Sequence, residues 1–166
     1  MKKIASLALA ICLACPLSAQ TIANMKDLTA GKKPAATSVK LTGTLSIRGN
    51  SDIRQLRDLC WQLKHVDLST ANCPELPANA FHSRHRLESV VLPANLKSIG
   101  TQAFFACDAL KQLTLPTTLE EVGAAAFSGC SSLESITIEG APRLGGFAFR
   151  GCNNLRSIKL LSKVPP

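Results

Sequence analysis

The sequence repeats itself at intervals of 22–24 residues, and this internal repeat constrains the fold more than any other feature. Each copy has a Leu-x-x-Leu-x-Leu type of segment, then a Leu-x-x-Ile-Gly type of segment, and then Ala-Phe-x-x-Cys. The clearest copy runs from Leu110 to Cys130, and Ala-Phe pairs start at positions 80, 103, 126 and 148. A unit this short can bury its apolar residues only if successive copies stack on each other, which predicts a solenoid.

The spacing of the leucines predicts a leucine-rich-repeat stack. Side chains alternate between the two faces of a strand, so every second residue of the first segment should point into the solenoid. The predicted fold class is an α/β solenoid of about five coils of 22–24 residues, with a parallel β-sheet face and an N-terminal strand–helix cap. Two inward columns follow: Val66, Val90, Leu113, Ile136 and Ile158, and Leu68, Leu92, Leu115, Ile138 and Leu160.

Two other repeated positions lead to local predictions. Gly100, Gly123 and Gly145 are expected to occupy tight turns that can require a positive φ. The Ala-Phe-x-x-Cys segments are expected to form one helical turn whose Phe fills the far end of each coil.

The N-terminus has the organisation of a secretory signal peptide. Lys2 and Lys3 precede an apolar run over residues 4–13, and the small residue Ala19 follows at a suitable cleavage point. The run is shorter than the roughly 20 residues of a membrane-spanning helix. The alternative is a lipoprotein cleaved before Cys15 and lipidated there, although the residues before it match a lipobox only in part. Both alternatives predict a secreted or cell-surface protein, with no transmembrane segment after cleavage.

The chain between the signal peptide and the repeats divides into two parts. Residues 20–38 show little periodicity and are interpreted as a tether or a loosely held leading segment. From Val39 to Ile47 apolar residues alternate as in a half-buried strand, and from Ile53 to Cys60 they have helical spacing. The predicted organisation is a signal peptide at 1–19, a tether at 20–38, an N-terminal cap at 39–62 and leucine-rich repeats at 63–166.

The composite repeat resembles the BspA-like leucine-rich repeats of bacterial surface antigens. The resemblance covers about residues 39–166 and is specific because several coils share it. There are two departures: Arg84 stands at the Cys position of the first coil, and the coil from Ile138 to Cys152 is one residue shorter and lacks its Leu-Pro. The resemblance implies a secreted or surface-exposed bacterial protein associated with adhesion and host-protein binding.

Charge and motifs argue against several other functions. The net charge is +8, but Lys and Arg are dispersed, with no run longer than Lys32-Lys33, so the charge favours solubility rather than nucleic-acid binding. The sequence has no phosphate-binding loop, no Gly-x-Ser-x-Gly and no Cys/His pair with an orienting third group. We therefore predict no enzymatic activity and no cofactor.

Cysteines and histidines are the remaining candidates for chemistry. Cys107, Cys130 and Cys152 share one repeat position and are predicted to be buried and reduced. Cys60 and Cys73 flank the first strand of the repeats and are the pair to consider for a disulfide. His82-x-x-His85 with Cys73 nearby does not supply the four spaced ligands of a typical zinc site, so no metal is predicted.

The outward positions of the repeat strands form the candidate binding surface, because solenoids commonly bind along such a face. They are mostly small and polar and lack the Trp, Tyr and Arg anchors of tight interfaces. The leading hypothesis is a binding module whose partner is a host or envelope surface protein. The alternative is a structural repeat fragment or spacer of a longer surface protein, with no ligand of its own. The candidate residues are His65, Asp67, Ser89, Val91, Gln112, Thr114, Ser135, Thr137, Ser157 and Lys159.

Overall fold

The computed structural model describes residues 20–22, 38–45, 52, 53, 56 and 62–161. Within these residues the chain forms short strands that are joined by turns and paired in parallel. The strands are β1 (Gln20–Ile22), β2 (Ser38–Leu41), β3 (Gly43–Thr44), β4 (His65–Asp67), β5 (Ala71–Asn72), β6 (Glu75–Leu76), β7 (Ser89–Val91), β8 (Ser98–Ile99), β9 (Gln112–Leu115), β10 (Glu121–Val122), β11 (Ser135–Ile138), β12 (Arg143–Leu144) and β13 (Ser157–Leu160).

Successive coils contribute one strand each to two lines of strands. We call β4, β7, β9, β11 and β13 the front face, and β1 and β2 extend it beyond β4. The second sheet has the order β12-β10-β8-β6, and β3 pairs with β5 alone. The register joins equivalent repeat positions, such as Val66 with Val90 and Ile136 with Ile158. These pairings confirm the predicted solenoid with a parallel sheet.

The core runs along the inside of the stack. The inward columns are buried from β4 to β11, and the leucines and valines of the second segment in the first three coils are buried as well. Phe81, Phe104 and Phe127 are fully buried and, with Phe149, form a ladder of stacked rings whose centroids lie 5.3, 5.3 and 5.4 Å apart. Aromatic rings at this separation attract each other beyond simple area burial. The prediction that Phe fills the end of each coil is confirmed.

The predicted helical turn at the Ala-Phe segments is wrong. Gln102 and Ala106 adopt positive φ angles of 55° and 53°, and equivalent residues of the other coils do the same, so the segment forms separate tight turns. Alternate amides then point along the stack: the N–H groups of Gln102 and Phe104 donate to the carbonyls of Ala124 and Ala126, at 3.0 and 2.8 Å. Hydrogen bonding to the next coil replaces the bonding that a helix would make within itself.

The repeated glycines are required by close packing, and the expected positive φ is not found at Gly100, Gly123 or Gly145. A Cβ atom on Gly123 would lie 2.5 Å from the backbone N of Thr101 on the preceding coil. Gly145 is in the same position relative to Ala124, also at 2.5 Å. Glycine is needed here because two backbones touch, not because a turn is left-handed.

The strand predicted for the N-terminal cap is confirmed. β2 and β3 form where a strand was predicted, with Val39 and Leu41 buried. No complete helix occurs among the described residues, so the predicted helix of the cap is not seen. Of that segment, Ile53 and Leu56 are described and fully buried, and most of the rest lies outside the described residues. The signal peptide at 1–19 lies outside them as well, and the tether at 20–38 begins with β1, which pairs with β2.

Candidate functional site

The front face presents the ten candidate residues on neighbouring strands. His65 pairs with Ser89 in register, and Asp67 with Val91. Gln112 pairs with Ser135 and then Ser157, and Thr114 with Thr137 and then Lys159. All ten are partly or fully exposed, as the alternation of strand side chains predicted. The face therefore carries two outward columns, one on each side of the buried central column.

The front face is interrupted between β7 and β9. The strands before the interruption form a sheet with the order β1-β2-β4-β7, and those after it form a separate sheet with the order β13-β11-β9. β7 and β9 lie side by side but are not paired in one sheet. The second sheet is continuous past the same point, because β8 pairs with β10 through Ser98–Glu121 and Ile99–Val122. Strand pairing between these two coils is thus interrupted in the front face and continuous in the second sheet.

A groove of about 480 Å³ lies over the interruption and is lined by residues of β7, β9 and β11. It brings together six of the ten candidate residues and leaves out His65, Asp67, Ser157 and Lys159. At its floor are Val90 and Leu113, which point inward on the two separated strands. Its single charged lining residue among those described is Glu139. The six outward residues are Ser89, Val91, Gln112, Thr114, Ser135 and Thr137.

The four remaining candidates have different surroundings. His65 Nδ1 lies 2.8 Å from the hydroxyl of Ser89, and Asp67 Oδ2 lies 3.0 Å from Nζ of Lys40. Burial acts to raise the pKa of the Asp67 carboxyl, but hydrogen bonds from Ser69 and the ammonium of Lys40 outweigh it and lower that pKa. These contacts hold the β4 end of the face in one arrangement, while Lys159 at the other end is exposed.

Sequence reasoning missed an exposed aromatic at the edge of the last coil. Phe147 is 72% exposed, has a positive φ of 61°, and has the guanidinium of Arg150 5.6 Å from its ring centre. The equivalent residues of earlier coils are Asn79, Gln102 and Ala125, which are small or polar. An aromatic at a repeat position that is otherwise small or polar was the available signal. Leu144, on β12, is half exposed in the same coil.

The described residues contain no group of three His, Cys, Asp or Glu side chains that could hold a metal ion. His82 stacks on Phe105 with ring centroids 4.9 Å apart, and His85 Nδ1 lies 2.7 Å from Asp108 Oδ2. The two histidines therefore have separate partners and do not converge on one point.

The repeated cysteines act as buried hydrogen-bond donors. Cys107, Cys130 and Cys152 each donate from Sγ to a Phe carbonyl of the preceding coil at 3.1 Å. Burial raises the pKa of Cys107 to about 12. Cys107 and Cys130 are buried as predicted, but Cys152 in the last coil is only half-buried. Thiols of raised pKa are poor nucleophiles, so the interior of this column is chemically inert.

The disulfide considered between Cys60 and Cys73 is not formed. Cys73 is a free, buried thiol whose Sγ lies 3.3 Å from the carbonyl of Glu75, and burial raises its pKa to about 11. Cys60 itself lies outside the described residues.

Comparisons with known proteins agree with this geometry. A crystal structure of a leucine-rich repeat protein from Bacteroides ovatus ATCC 8483 is 26% identical, with a TM-score of 0.53 over 73% of this chain and 34% of that one. The crystal structure of the pneumococcal vaccine antigen PcpA is 27% identical, with a TM-score of 0.50 over 61% of this chain and 25% of the other. A leucine-rich cell surface protein from Faecalibacterium prausnitzii A2-165 shares the fold at 22% identity, with a TM-score of 0.50 over 64% and 28%.

This chain thus spans about a third or less of each of these structures. No match was found among curated proteins. Among the described residues, no helix has the length and apolar character needed to cross a membrane. The model of the BspA type leucine-rich repeat region matches residues 74–165 in six copies. Because this match spans more than half of the 166 residues, the chain belongs to the BspA type leucine-rich repeat family.

Proposed function

We propose that this chain is an exported binding module of a bacterial cell surface, which mediates protein–protein interaction or adhesion and has no catalytic activity. The observation that carries the proposal is the groove between β7 and β9, because six of the ten candidate residues converge on it. Its lining combines the aliphatic side chain of Val91 with hydroxyl and amide groups. Such a mixture suits a polypeptide partner better than a charged one.

Export and surface location are supported by the pattern of residues 1–19 and by the relatives. One structural neighbour is described as a cell surface protein and another as a vaccine antigen. The expected exported product begins at Gln20, which the intact mass of protein from the producing cell would establish. A diacylglycerol adduct on Cys15 would instead establish lipoprotein anchoring.

The binding proposal is tested by passing candidate host and envelope proteins over immobilised residues 20–166. The informative variant is Thr114→Arg, which places a bulky charge in the groove while leaving the buried side chains untouched. The matched control is Thr117→Arg, since Thr117 is exposed in the same coil and does not line the groove. We expect Thr114→Arg to weaken binding at least tenfold and Thr117→Arg to leave it unchanged, with both variants folded by circular dichroism.

Equal binding by the two variants would place the contact elsewhere. Loss of binding on changing Phe147 or Arg143, with Gln112, Thr114, Asp67 and Lys159 all indifferent, would move the site to the coil edge and the loops.

The second candidate function is a structural spacer. It is favoured by the last coil, where Ile158 and Leu160 are exposed at positions that earlier coils bury. Such a surface is suited to support another coil rather than a ligand. Under this alternative no candidate protein binds in the same experiment, and the exported chain contributes length and rigidity only.

A further inference from the structure

We propose that the groove between β7 and β9 receives an extended peptide segment of the partner, which inserts as an additional parallel strand and pairs with both neighbours through its main chain. This inference rests on the proposed binding function and specifies the mode of recognition. Its basis is the set of main-chain hydrogen-bonding groups that the interruption leaves facing the gap.

The hydrogen bonds between β9 and β11 identify the main-chain groups of β9 that face β7 instead. The N–H of Ser135 donates to the carbonyl of Lys111, and the N–H of Glu139 donates to the carbonyl of Leu115. Peptide groups alternate sides along a strand, so the carbonyls of odd-numbered residues in β9 face β11. The N–H and C=O groups of Gln112 and Thr114 therefore face β7.

The same reasoning identifies the free groups of β7. The N–H of Ser89 donates to the carbonyl of Lys64, and the carbonyl of Val91 accepts from the N–H of Leu68, so both residues face β4. Val90, between them, faces β9 with its N–H and C=O.

At the paired junctions of the front face, the residue just before a strand donates its N–H to a carbonyl of the preceding coil, and this hydrogen bond is absent between β7 and β9. It joins Glu88 N to Lys64 O at 2.7 Å, Glu134 N to Lys111 O at 2.8 Å, and Arg156 N to Glu134 O at 3.0 Å. The equivalent bond, from Lys111 N to Glu88 O, is not formed among the described residues. Both strand edges are thus unpaired from their first residues.

Main-chain groups beside a hydrophobic floor require hydrogen-bond partners, because leaving them unpaired out of water is costly. Val90 and Leu113 at the floor are almost completely buried. An extended peptide offers alternating donors and acceptors to both edges, which is how proteins extend a sheet at a free strand. β7 and β9 run in the same direction, so a strand parallel to both satisfies both.

Insertion requires the front face to open by about one strand spacing, roughly 4.8 Å. The second sheet remains paired behind the gap through β8 and β10 and can act as the hinge. The two halves of the solenoid are each held by their own front sheet. Opening therefore breaks no front-face strand pairing, whereas opening at any other front junction would.

The lining determines the side chains of the incoming strand. Inward side chains would contact Val90 and Leu113 and should be aliphatic, while outward ones would lie beside Ser89, Gln112 and Thr114 and should be short and uncharged. The segment of β11, residues 133–139, has this alternation in its Ser-Ile-Thr-Ile centre. An acetylated and amidated peptide of residues 133–139 is therefore a suitable probe.

The first measurement is amide hydrogen exchange of residues 20–166 without peptide. We expect the amides of Val90, Gln112 and Thr114 to exchange at least tenfold faster than that of Thr137, whose N–H faces β9 inside a paired sheet. Equal protection of all four would mean that β7 and β9 are paired in solution, which overturns the inference.

The second measurement adds the peptide. Its binding, followed by isothermal titration calorimetry, should slow exchange at Val90, Gln112 and Thr114, and a peptide with Pro in place of its Thr should bind at least tenfold more weakly. Binding without added protection at these amides would show contact on the face rather than insertion and would overturn the inference.

A variant gives an independent reading. Thr114→Pro removes an N–H that has no partner in a sheet, so it should retain the fold and lose peptide binding, whereas Thr137→Pro should unfold the stack. If Thr114→Pro also fails to fold, the exchange comparison with the peptide decides. If Thr114→Arg abolishes binding of a protein partner but the peptide never protects these amides, the proposed function stands and strand insertion fails.

Discussion

The interior strands of the front face and its last strand, β13, carry the same kind of aliphatic residue at their inward positions, yet these residues differ in what surrounds them. Ile136 on β11 is fully buried, whereas Ile158, its partner in register on β13, is 53% exposed. Leu115 is fully buried and Leu160, two coils on, is 69% exposed. The difference shows that a coil does not bury its own core residues. The coil that follows covers them. The contribution of a residue to the free energy of unfolding therefore depends on its place in the stack.

The largest effect that follows from this comparison concerns the Phe ladder. Phe127 is fully buried between Phe104 and Phe149, whereas Phe149 stacks on Phe127 and is only partly buried. Phe127→Ala should therefore reduce the free energy of unfolding by about 3–5 kcal/mol, as for other buried Phe residues, and Phe149→Ala by roughly half of that. Urea unfolding of the two variants measures both. Equal losses would contradict the view that the following coil supplies the burial.

The next largest effect compares two glycines. Gly123→Ala would place its Cβ 2.5 Å from the backbone N of Thr101 and 2.7 Å from the carbonyl carbon of Gly100, so the coils must separate locally. We expect a loss of about 1–3 kcal/mol, as for overpacked cores.

The matched control is Gly146→Ala in the last coil. Nothing lies within 4 Å of the added Cβ, so the free energy of unfolding should change by less than about 0.5 kcal/mol, or rise slightly because alanine restricts the unfolded chain. Thermal unfolding of both variants is the measurement, and a Gly146 variant as unstable as the Gly123 variant would refute the contact argument.

The repeat period was sufficient to predict the solenoid, its inward columns and its outward face, because these depend only on which residues alternate. Other features depend on the distances between coils and could not be predicted. The interruption between β7 and β9 involves main-chain groups, which are the same in every coil. Gly123 looked like a turn glycine because a sequence does not show that another backbone passes beside it. The exposure of Ile158 follows from its neighbour on the stack rather than from its own pattern.

The labelling rates of the repeated cysteines, Cys107, Cys130 and Cys152, test the same comparison between interior coils and the end of the stack. The neighbouring thiol of Cys152, together with burial, raises the pKa of Cys130, while the neighbouring thiol of Cys130 lowers the pKa of Cys152. Cys152 is also the half-buried member of the column. We expect Cys152 to react with a maleimide in the native protein, at a lower pH than an ordinary thiol requires, and Cys107 and Cys130 to react only after unfolding.

Mass spectrometry of the labelled peptides at several pH values identifies the order. Prompt labelling of Cys130 in the native state would mean that the last coil separates readily from the stack. Cys152→Ser gives the control, since native labelling of the repeated cysteines should then disappear.

The smallest expected effect compares the two ends of one outward column of the front face. At one end Asp67 is 3.0 Å from Lys40, and at the other Lys159 makes no ion pair among the described residues. The folded protein holds the pKa of Asp67 below its ordinary value of 3.8, so its carboxylate stabilises the fold above about pH 4, and this contribution is lost as the pH falls through the lowered pKa. Because the pair is partly exposed, Asp67→Asn should cost only a few tenths of a kcal/mol, roughly, near neutral pH. Lys159→Gln should cost less still, at any pH.

Urea unfolding at pH 7 and at pH 3 tests this prediction. The free energy of unfolding that Asp67→Asn loses relative to the natural chain should be smaller at the lower pH. A deficit that grows on acidification would mean that the protonated carboxyl, rather than the ion pair, stabilises this end of the face.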